Sequence, residues 1–429
     1  MTQPGIGGGG LVGLAIEVLP PPETLTAVAA AGGTLVDDEY FYVVTAVNSS
    51  GETVISNEDS ATTATTNNSV LLDWDPVLDA QDVEATYNVY RSLTTGGPYQ
   101  TLTTGVATST FTDDGTLTPA APAPPTVNTA LAYGVYTAPT KFFPINSESL
   151  KFNQGTIFRR PIRQSVDVVG AVPGNVHSDG DLEIEALEDV VPYFILASRV
   201  VASKVTTGSD IVYTFTPTPN AIPVLSLSIT VVRNEEVFGY TGCVTGQFSF
   251  TPSDGLLMFN VSLVGSDEIE SPLPIATWPT TVPFGAGQYE VNIAGTQMFD
   301  TDTFEFTVND NAEPQFRLKD TGRGAQYIKF GERECTITME RDFFDRTEYD
   351  QFKTLTQEEI FVRTQKLATN YIKMTAPVAV KDSYEVGLSG QGELVRANIE
   401  YQNMIDTNGD SFIIEIGTQE DIDQVEEAP

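Results

Sequence analysis

Along the chain, apolar residues recur at alternate positions in short runs rich in Val, Thr, Tyr and Phe. Clusters of Gly, Pro, Asn and Asp separate the runs. A period of two marks strands with one buried face. Clear cases are Tyr40 to Val47 (YFYVVTAV), Asp181 to Ala186 (DLEIEA), Thr303 to Phe306 (TFEF) and Cys335 to Glu340 (CTITME). Two stretches instead carry a helical period. Leu187 to Ser198 has an acidic start at Glu188 and Asp189, and its Pro192 is tolerated only in a first turn. Arg341 to Leu355 places Phe344, Tyr349, Phe352 and Leu355 on one broad face. The pattern predicts a mainly β protein with two short helices. No apolar run approaches about 18 residues, so no membrane span is expected.

Residues 20–130 stand apart, opened by Pro20-Pro21-Pro22 and closed by the PAAPAPP run. Both read as stiff joints. Between them, strands at regular spacing with turn clusters predict an antiparallel sandwich. The segments YFYVVTAVNSSGE, LLDWDP and YNVYRSLTTGGPY resemble fibronectin type III or Ig-like modules. That resemblance implies a fold and no ligand. Residues 1–19 are too short for a domain, and the pattern resumes after the sandwich, so the block reads as an insertion at an exposed turn.

The remainder shows one order of elements twice. SLKF (Ser149 to Phe152), then DLEIEA and the first helix, answer to TFEF, CTITME and the second helix. Each helix is followed by further strands and a hairpin around Asp-Gly or Gln-Gly, as in GQFSFTPSDGLLMFNVSLVG and SYEVGLSGQGELVRANIEYQ. The first copy is residues 131–270 with 1–19 as its start, 271–283 is a linker, 284–418 the second copy, and 419–429 an acidic tail. Asp181, Glu183 and Glu185 in the first copy, and Glu305, Thr336, Thr338 and Glu340 in the second, form polar sides of these strands. One apolar and one acidic side suit a sheet closing into a barrel with a hydrated interior.

Composition narrows the function. The 429 residues include 58 acids and 22 bases, a net charge of −36. A broadly basic phosphate-binding face is excluded. One histidine, His177, excludes a multi-His metal site, and His177 itself reads as a loop residue. Cys243 and Cys335 are neither a disulfide framework nor a zinc spacing, and read as buried thiols. Asp406 to Asp410 (DTNGD) lacks the calcium-loop glycine and glutamate spacing, so a turn is expected. Gly7 to Gly10 precede a strand and form no phosphate cradle, and Met1 to Gly10 lack the pattern of a secretory signal. No cofactor or metal is expected. Fourteen acids against Arg91 alone give the sandwich block −13. An acid excess of this size suits a salt-rich host cytoplasm or a working acidic surface.

Bases gather in the long segments between the paired strands. The first carries Arg159, Arg160 and Arg163; the second carries Arg317, Lys319, Arg323, Lys329 and Arg333. Long loops of this kind are usually functional, and arms docking on the acidic face of a neighbouring copy would use them. Charge balance within the chain is the plainer alternative.

The segments YGVYTAPTKFFPINSESLKF, FRRPIRQSVDVVGAVPGNVHSDGDLEIEALEDVVPYFI and FGYTGCVTGQFSFTPSDGLLMFNVSLVG resemble the major tail tube proteins of long-tailed, siphovirus-type bacterial and archaeal viruses. IGGGGLVGLAIEV is similar to that family's opening. The resemblance implies two tandem tail-tube β-barrel or sandwich domains, each with one short helix, plus the inserted sandwich. It implies a virion tail protein, made in the host cytoplasm, that forms stacked rings through which DNA passes without specific binding. Two copies per chain imply homotrimers with pseudo-sixfold symmetry. Inter-ring arms then fall on Arg159, Arg160 and Arg163, and by the duplication on Arg317, Lys319 and Arg323. Lumen-facing acids fall on Glu183, Glu185, Glu305 and Glu340. The implied partners are further copies of the chain, tape measure, tail terminator and distal tail proteins, with the inserted module outside and available to a host surface. A secreted or cell-surface multi-sandwich binding protein is the alternative. An enzyme is disfavoured because no convergent polar cluster is visible.

Overall fold

The computed structural model describes residues 10–79, 83–160, 167–218, 225–285, 287–317, 323–387, 394–422 and 425. The chain forms two compact units, Ile16–Thr137 and the combination of Met1–Ala15 with Ala138–Pro429. The fold is mainly β, with two short helices among the described residues.

Ile16–Thr137 is a sandwich of two antiparallel sheets. Thr26–Ala30, Ser69–Asp73 and Thr110–Asp113 make one, and Asp59–Thr62, Glu39–Val47, Thr86–Ser92 and Gln100–Val106 the other. Alternation along the strands turns Tyr42, Val44 and Ala46 toward Val70, Leu72 and Trp74. The Trp74 ring meets Tyr87 edge-on at 5.2 Å between centroids. Arg91, the single Lys or Arg of this unit, places Nη1 2.5 Å from Oδ2 of buried Asp113. The Tyr42 hydroxyl donates to the same oxygen at 2.9 Å.

In the other unit the first copy consists of β1 (Leu11–Ile16), β2 (Lys141–Phe143), β3 (Lys151–Arg159), β4 (Gly170–Glu185), α1 (Val191–Leu196), β5 (Val200–Thr207), β6 (Asp210–Pro217), β7 (Leu227–Arg233), β8 (Glu236–Ser253), β9 (Leu256–Gly265) and β10 (Asp267–Glu270). The second consists of β11 (Tyr289–Ile293), β12 (Thr296–Met298), β13 (Thr301–Asn309), β14 (Glu334–Asp342), α2 (Thr347–Lys353), β15 (Gln357–Leu367), β16 (Asn370–Gly387), β17 (Arg396–Met404) and β18 (Ile413–Thr418).

One pairing scheme occurs in both. The order β3–β4–β9–β8 matches β13–β14–β17–β16. In the second layer, β2–β1–β7–β8–β10 matches β12–β11–β15–β16–β18. The long strands β8 and β16, 18 residues each, serve both layers by contributing one half to each. Hydrogen-bonded strands can be followed round to the first. That path changes layer along the bent strands, so the copies are fused sandwiches and not hollow barrels. Aromatic side chains fill the space between the layers. Phe194 of α1 lies 5.6 Å from Phe143 of β2 and 6.0 Å from Phe259 of β9, and Phe250 lies 4.9 Å from Phe259.

Two features tie the copies together. β8 pairs with β13, Gln247 to Phe250 facing Asn309 to Phe306. The β5–β6 hairpin, which follows α1 and has no equivalent after α2, lays β6 on β18.

Both helices are shorter than their sequence patterns. α1 begins at Val191, which puts Pro192 in the first turn. Glu188 and Asp189 do not serve that turn. Glu188 binds Lys366 at 2.6 Å, and Asp189 accepts from Thr281 at 2.9 Å. Arg341 and Asp342 belong to β14, and no residue of α2 is buried. Tyr349 and Phe352 still share a contact on Tyr384, but Phe344 and Leu355 face solvent.

Replacing Arg91 by Met leaves the buried Asp113 carboxylate without its cation. The expected loss is about 3–5 kcal/mol in the stability of the Ile16–Thr137 unit, read as a lower denaturant midpoint for Trp74 fluorescence.

Candidate functional site

Pairing across β8 and β13 makes one eight-stranded antiparallel run, β3–β4–β9–β8–β13–β14–β17–β16. Residues directly opposite in such a sheet share a face. One face is therefore legible row by row. Glu183, Asn260, Ser249, Thr307, Thr336 and Gln402 form one row. Glu305, Thr338, Glu400 and Ser383 form another, and Thr303, Glu340, Asn398 and Glu385 a third. The opposite face has rows such as Leu182, Val261, Phe248, Val308 and Cys335. Those side chains are buried in the sandwich cores.

Glu183, Glu185, Glu305 and Glu340, singled out in the sequence, thus lie on one polar face. Hydroxyls and amides make up most of it, with acids in every row. Asp181 accepts from Ser262 at 2.6 Å, and Glu183 from Ser147 at 3.1 Å. Arg396 is a base within this face, with Nη1 2.7 Å from Asp302 and 3.2 Å from Glu340. At the sheet's β3 edge, Lys151 lies 3.4 Å from Asp179.

The basic segments of the two copies fold differently. In the first, β3 and β4 form a long hairpin, and Arg159 and Arg160 are exposed toward its end. Arg163 lies outside the described residues. In the second, a small Glu313–Gln315 and Tyr327–Lys329 ladder forms. Arg317 donates to the Tyr327 hydroxyl at 2.7 Å, with its guanidinium 5.3 Å from that ring's centroid. Arg323 donates to the Gly174 carbonyl at 3.1 Å, and its own carbonyl accepts from Val176 at 3.0 Å. Arg323 therefore serves a contact between the copies of one chain. Lys319 lies outside the described residues.

An interaction that sequence reasoning missed sits beside the β8–β13 pairing. Buried Asp310 lies 2.6 Å from Nε of Arg333 and 3.3 Å from Nη2 of Arg199, which follows α1. The Arg333 guanidinium also donates to the Arg199 carbonyl. Residues far apart in the chain meet here, and no local spacing announces it.

The remaining candidates have structural surroundings. His177 is part of β4, 3.6 Å from Asp179 and edge-on to Phe316. Cys243 and Cys335 are buried thiols, and burial pushes the Cys335 thiol up to about 12. Asp406 accepts from the backbone N–H of Asn408 and Asp410 at 2.8 and 2.9 Å, the bonds of a turn. Those donors hold its carboxyl below the usual range. Gly10 precedes β1, and Gly7 to Gly9 lie outside the described residues. Among the described residues, no group of three or more His, Cys, Asp or Glu is placed to hold a metal ion. No described helix is long and apolar enough to cross a membrane.

A family model described as phage tail tube protein matches residues 115–402. The match spans most of both copies and leaves most of the Ile16–Thr137 sandwich outside it. No curated protein matches the chain.

Asp310→Ala strands two largely buried guanidinium groups next to the β8–β13 pairing. Stability is expected to fall by about 3–5 kcal/mol, measured by chemical denaturation. Asp310→Asn, which keeps one acceptor, should lose less.

Proposed function

The chain belongs to the phage tail tube protein family, and from that premise we propose that copies of it close into rings, that the rings stack, and that viral DNA passes down the bore. The protein is a structural component of the viral tail. Residues 1–19 with 131–270, and 284–418 across the 271–283 linker, are then two tube domains of one chain, with 20–130 inserted as a separate module. Three chains supply six domains, a homotrimer with pseudo-sixfold symmetry.

The observation that carries this reading is the eight-stranded sheet with one face largely built into cores and the other polar, with carboxylates in each row. Curved into a ring, that polar face becomes the bore. Glu183, Glu185, Glu305 and Glu340 then repel the phosphate backbone, so DNA slides without being held. The long hairpin with Arg159 and Arg160 exposed toward its end reaches the adjacent ring, Arg163 following in sequence, and arginine meets carboxylates there in charge-assisted pairs. The corresponding second segment contributes Arg317, Lys319 and Arg323. At −36 per chain, ring stacking opposes strong self-repulsion, and added salt favours it by screening.

Negative-stain microscopy of the purified chain should show rings or tubes with a central channel, and native mass measurement of single rings should give three chains. Monomers at every salt concentration would reject the tube reading, and six chains per ring would reject the two-domain count. Reversing Arg159, Arg160 and Arg163 to Glu should leave rings intact and abolish stacking. Normal tubes from that variant would remove the first arm from the inter-ring contact.

A further inference from the structure

Resting on the ring reading above, we infer that chains join edge to edge by pairing the end of β16 with β3 of the next copy, in the register that β8 and β13 use within one chain. Lys151 of one copy then faces Glu385 of its neighbour.

The inference comes from the repeated pairing scheme. The β8 ladder with β9 is interrupted between Thr245 and Gln247, and the β16 ladder with β17 between Lys381 and Ser383. Superposing the two bulges equates Gln247, Phe248, Ser249 and Phe250 with Ser383, Tyr384, Glu385 and Val386. The neighbours agree: Leu182, Val261 and Phe248 occupy one row of the first copy, and Met339, Ile399 and Tyr384 the matching row of the second. Equating Leu182 with Met339 also equates Asp179 with Thr336. These face Lys151 and Thr307 respectively.

Within the chain, Gln247, Phe248, Ser249 and Phe250 face Asn309, Val308, Thr307 and Phe306. The same register between chains sets Ser383 against Asn153, Tyr384 against Phe152, Glu385 against Lys151, and Val386 against Leu150. Each pair is chemically matched. Two polar residues meet, then two aromatics, then opposite charges, then two aliphatics. Nothing in the construction of the register selected for this. It depends only on bulge positions and ladder pairings.

Other features gather at the same two edges. Among the described residues, β3 has its ladder partners in β4 alone, and the Lys151 side chain is 64% exposed. At the far edge, β16 beyond Lys381 has its described ladder partners in β17. Beside it, Phe344 and Leu355, which flank α2, are 77% and 65% exposed. Its counterpart α1 is buried, and Tyr193 there donates at 3.0 Å to Glu420, two residues past β18 of the second copy. A neighbouring chain that pairs with β16 would cover α2 as the second copy covers α1. A charge pair also suits a junction that must find its register without covalent help. Sliding by two residues sets Lys151 against Ser383 or Gly387, and sliding by one exchanges the polar and core faces.

The test uses the full chain in three forms: Lys151→Glu, Glu385→Lys, and both together. Each single reversal sets like charges opposite and should reduce ring yield at least tenfold at low salt. The double variant should restore rings, with all three showing the same monomer melting profile. In parallel, Lys151→Cys with Glu385→Cys should give oxidised dimers and trimers on denaturing gels, whereas Lys151→Cys with Ser383→Cys should give few. Rings that survive the single reversals, a double reversal that rescues nothing, or preferred cross-linking of the 151/383 pair would overturn this register while leaving the tube reading standing. Wild-type chains that form no rings would overturn both.

Discussion

Backbone hydrogen bonding along sheet edges is the constraint on which the architecture rests. A strand has two edges, and an edge without a partner exposes a row of N–H and C=O groups that invites indiscriminate pairing. Each sandwich in the duplicated unit answers this with a long bent strand, β8 or β16, whose halves lie in different layers. One strand thereby supplies hydrogen bonds to both sheets and turns the corner between them. Joining β8 to β13 satisfies a further pair of edges and turns two four-stranded layers into one run of eight. What remains are β3 and the end of β16, one at each extremity. In the proposed ring these meet, and no edge of that layer is left over.

The charge distribution follows from the same geometry. Period-two alternation assigns every second side chain of the run to the cores and the others to the polar face. An acidic surface is therefore held apart from the interior by nothing more than the pleat. Carboxylates buried between the copies are paired. Asp310 bridges Arg199 and Arg333, and Glu188 meets Lys366 at 2.6 Å. Such pairs add specificity more than net stability, because desolvation offsets much of the attraction. Their value here is positional, since each joins elements distant in the sequence.

The β character, the separate sandwich and the order of the repeated strands were legible because alternation is a local signal. DLEIEA and CTITME declared their polar sides directly, so Glu183, Glu185, Glu305 and Glu340 could be grouped before any pairing was known. Alternation does not say what covers the apolar face. There Phe194, projecting from a helix, packs against Phe143 and Phe259. The second helix was overextended because Arg341 and Asp342 continue the polar alternation of β14, while Phe344 and Leu355 look amphipathic yet face solvent in the single chain. Among the bases, Arg159 and Arg160 stand on an exposed hairpin, but Arg323 reaches Gly174 of the other copy. Equal sequence positions acquired unequal surroundings because the second segment folds back on the first.

That inequality shows how a duplicated chain departs from six equal domains. The junction inside the chain has three supports: the β8–β13 ladder, the Asp310 network, and the β5–β6 hairpin laid on β18. The hairpin lies between α1 and β7, whereas α2 runs into β15 after three residues, Thr354 to Thr356. The second copy has no corresponding extension to place on its neighbour. By the same alignment of repeats, the position of Asp310 is taken by Gln154, so the carboxylate bridge has no equivalent either. In the proposed ring, a junction between chains keeps the ladder and loses two of the three supports. Sixfold pairing geometry combined with two classes of junction would give the proposed ring threefold symmetry, with the chain as the unit that survives when it comes apart.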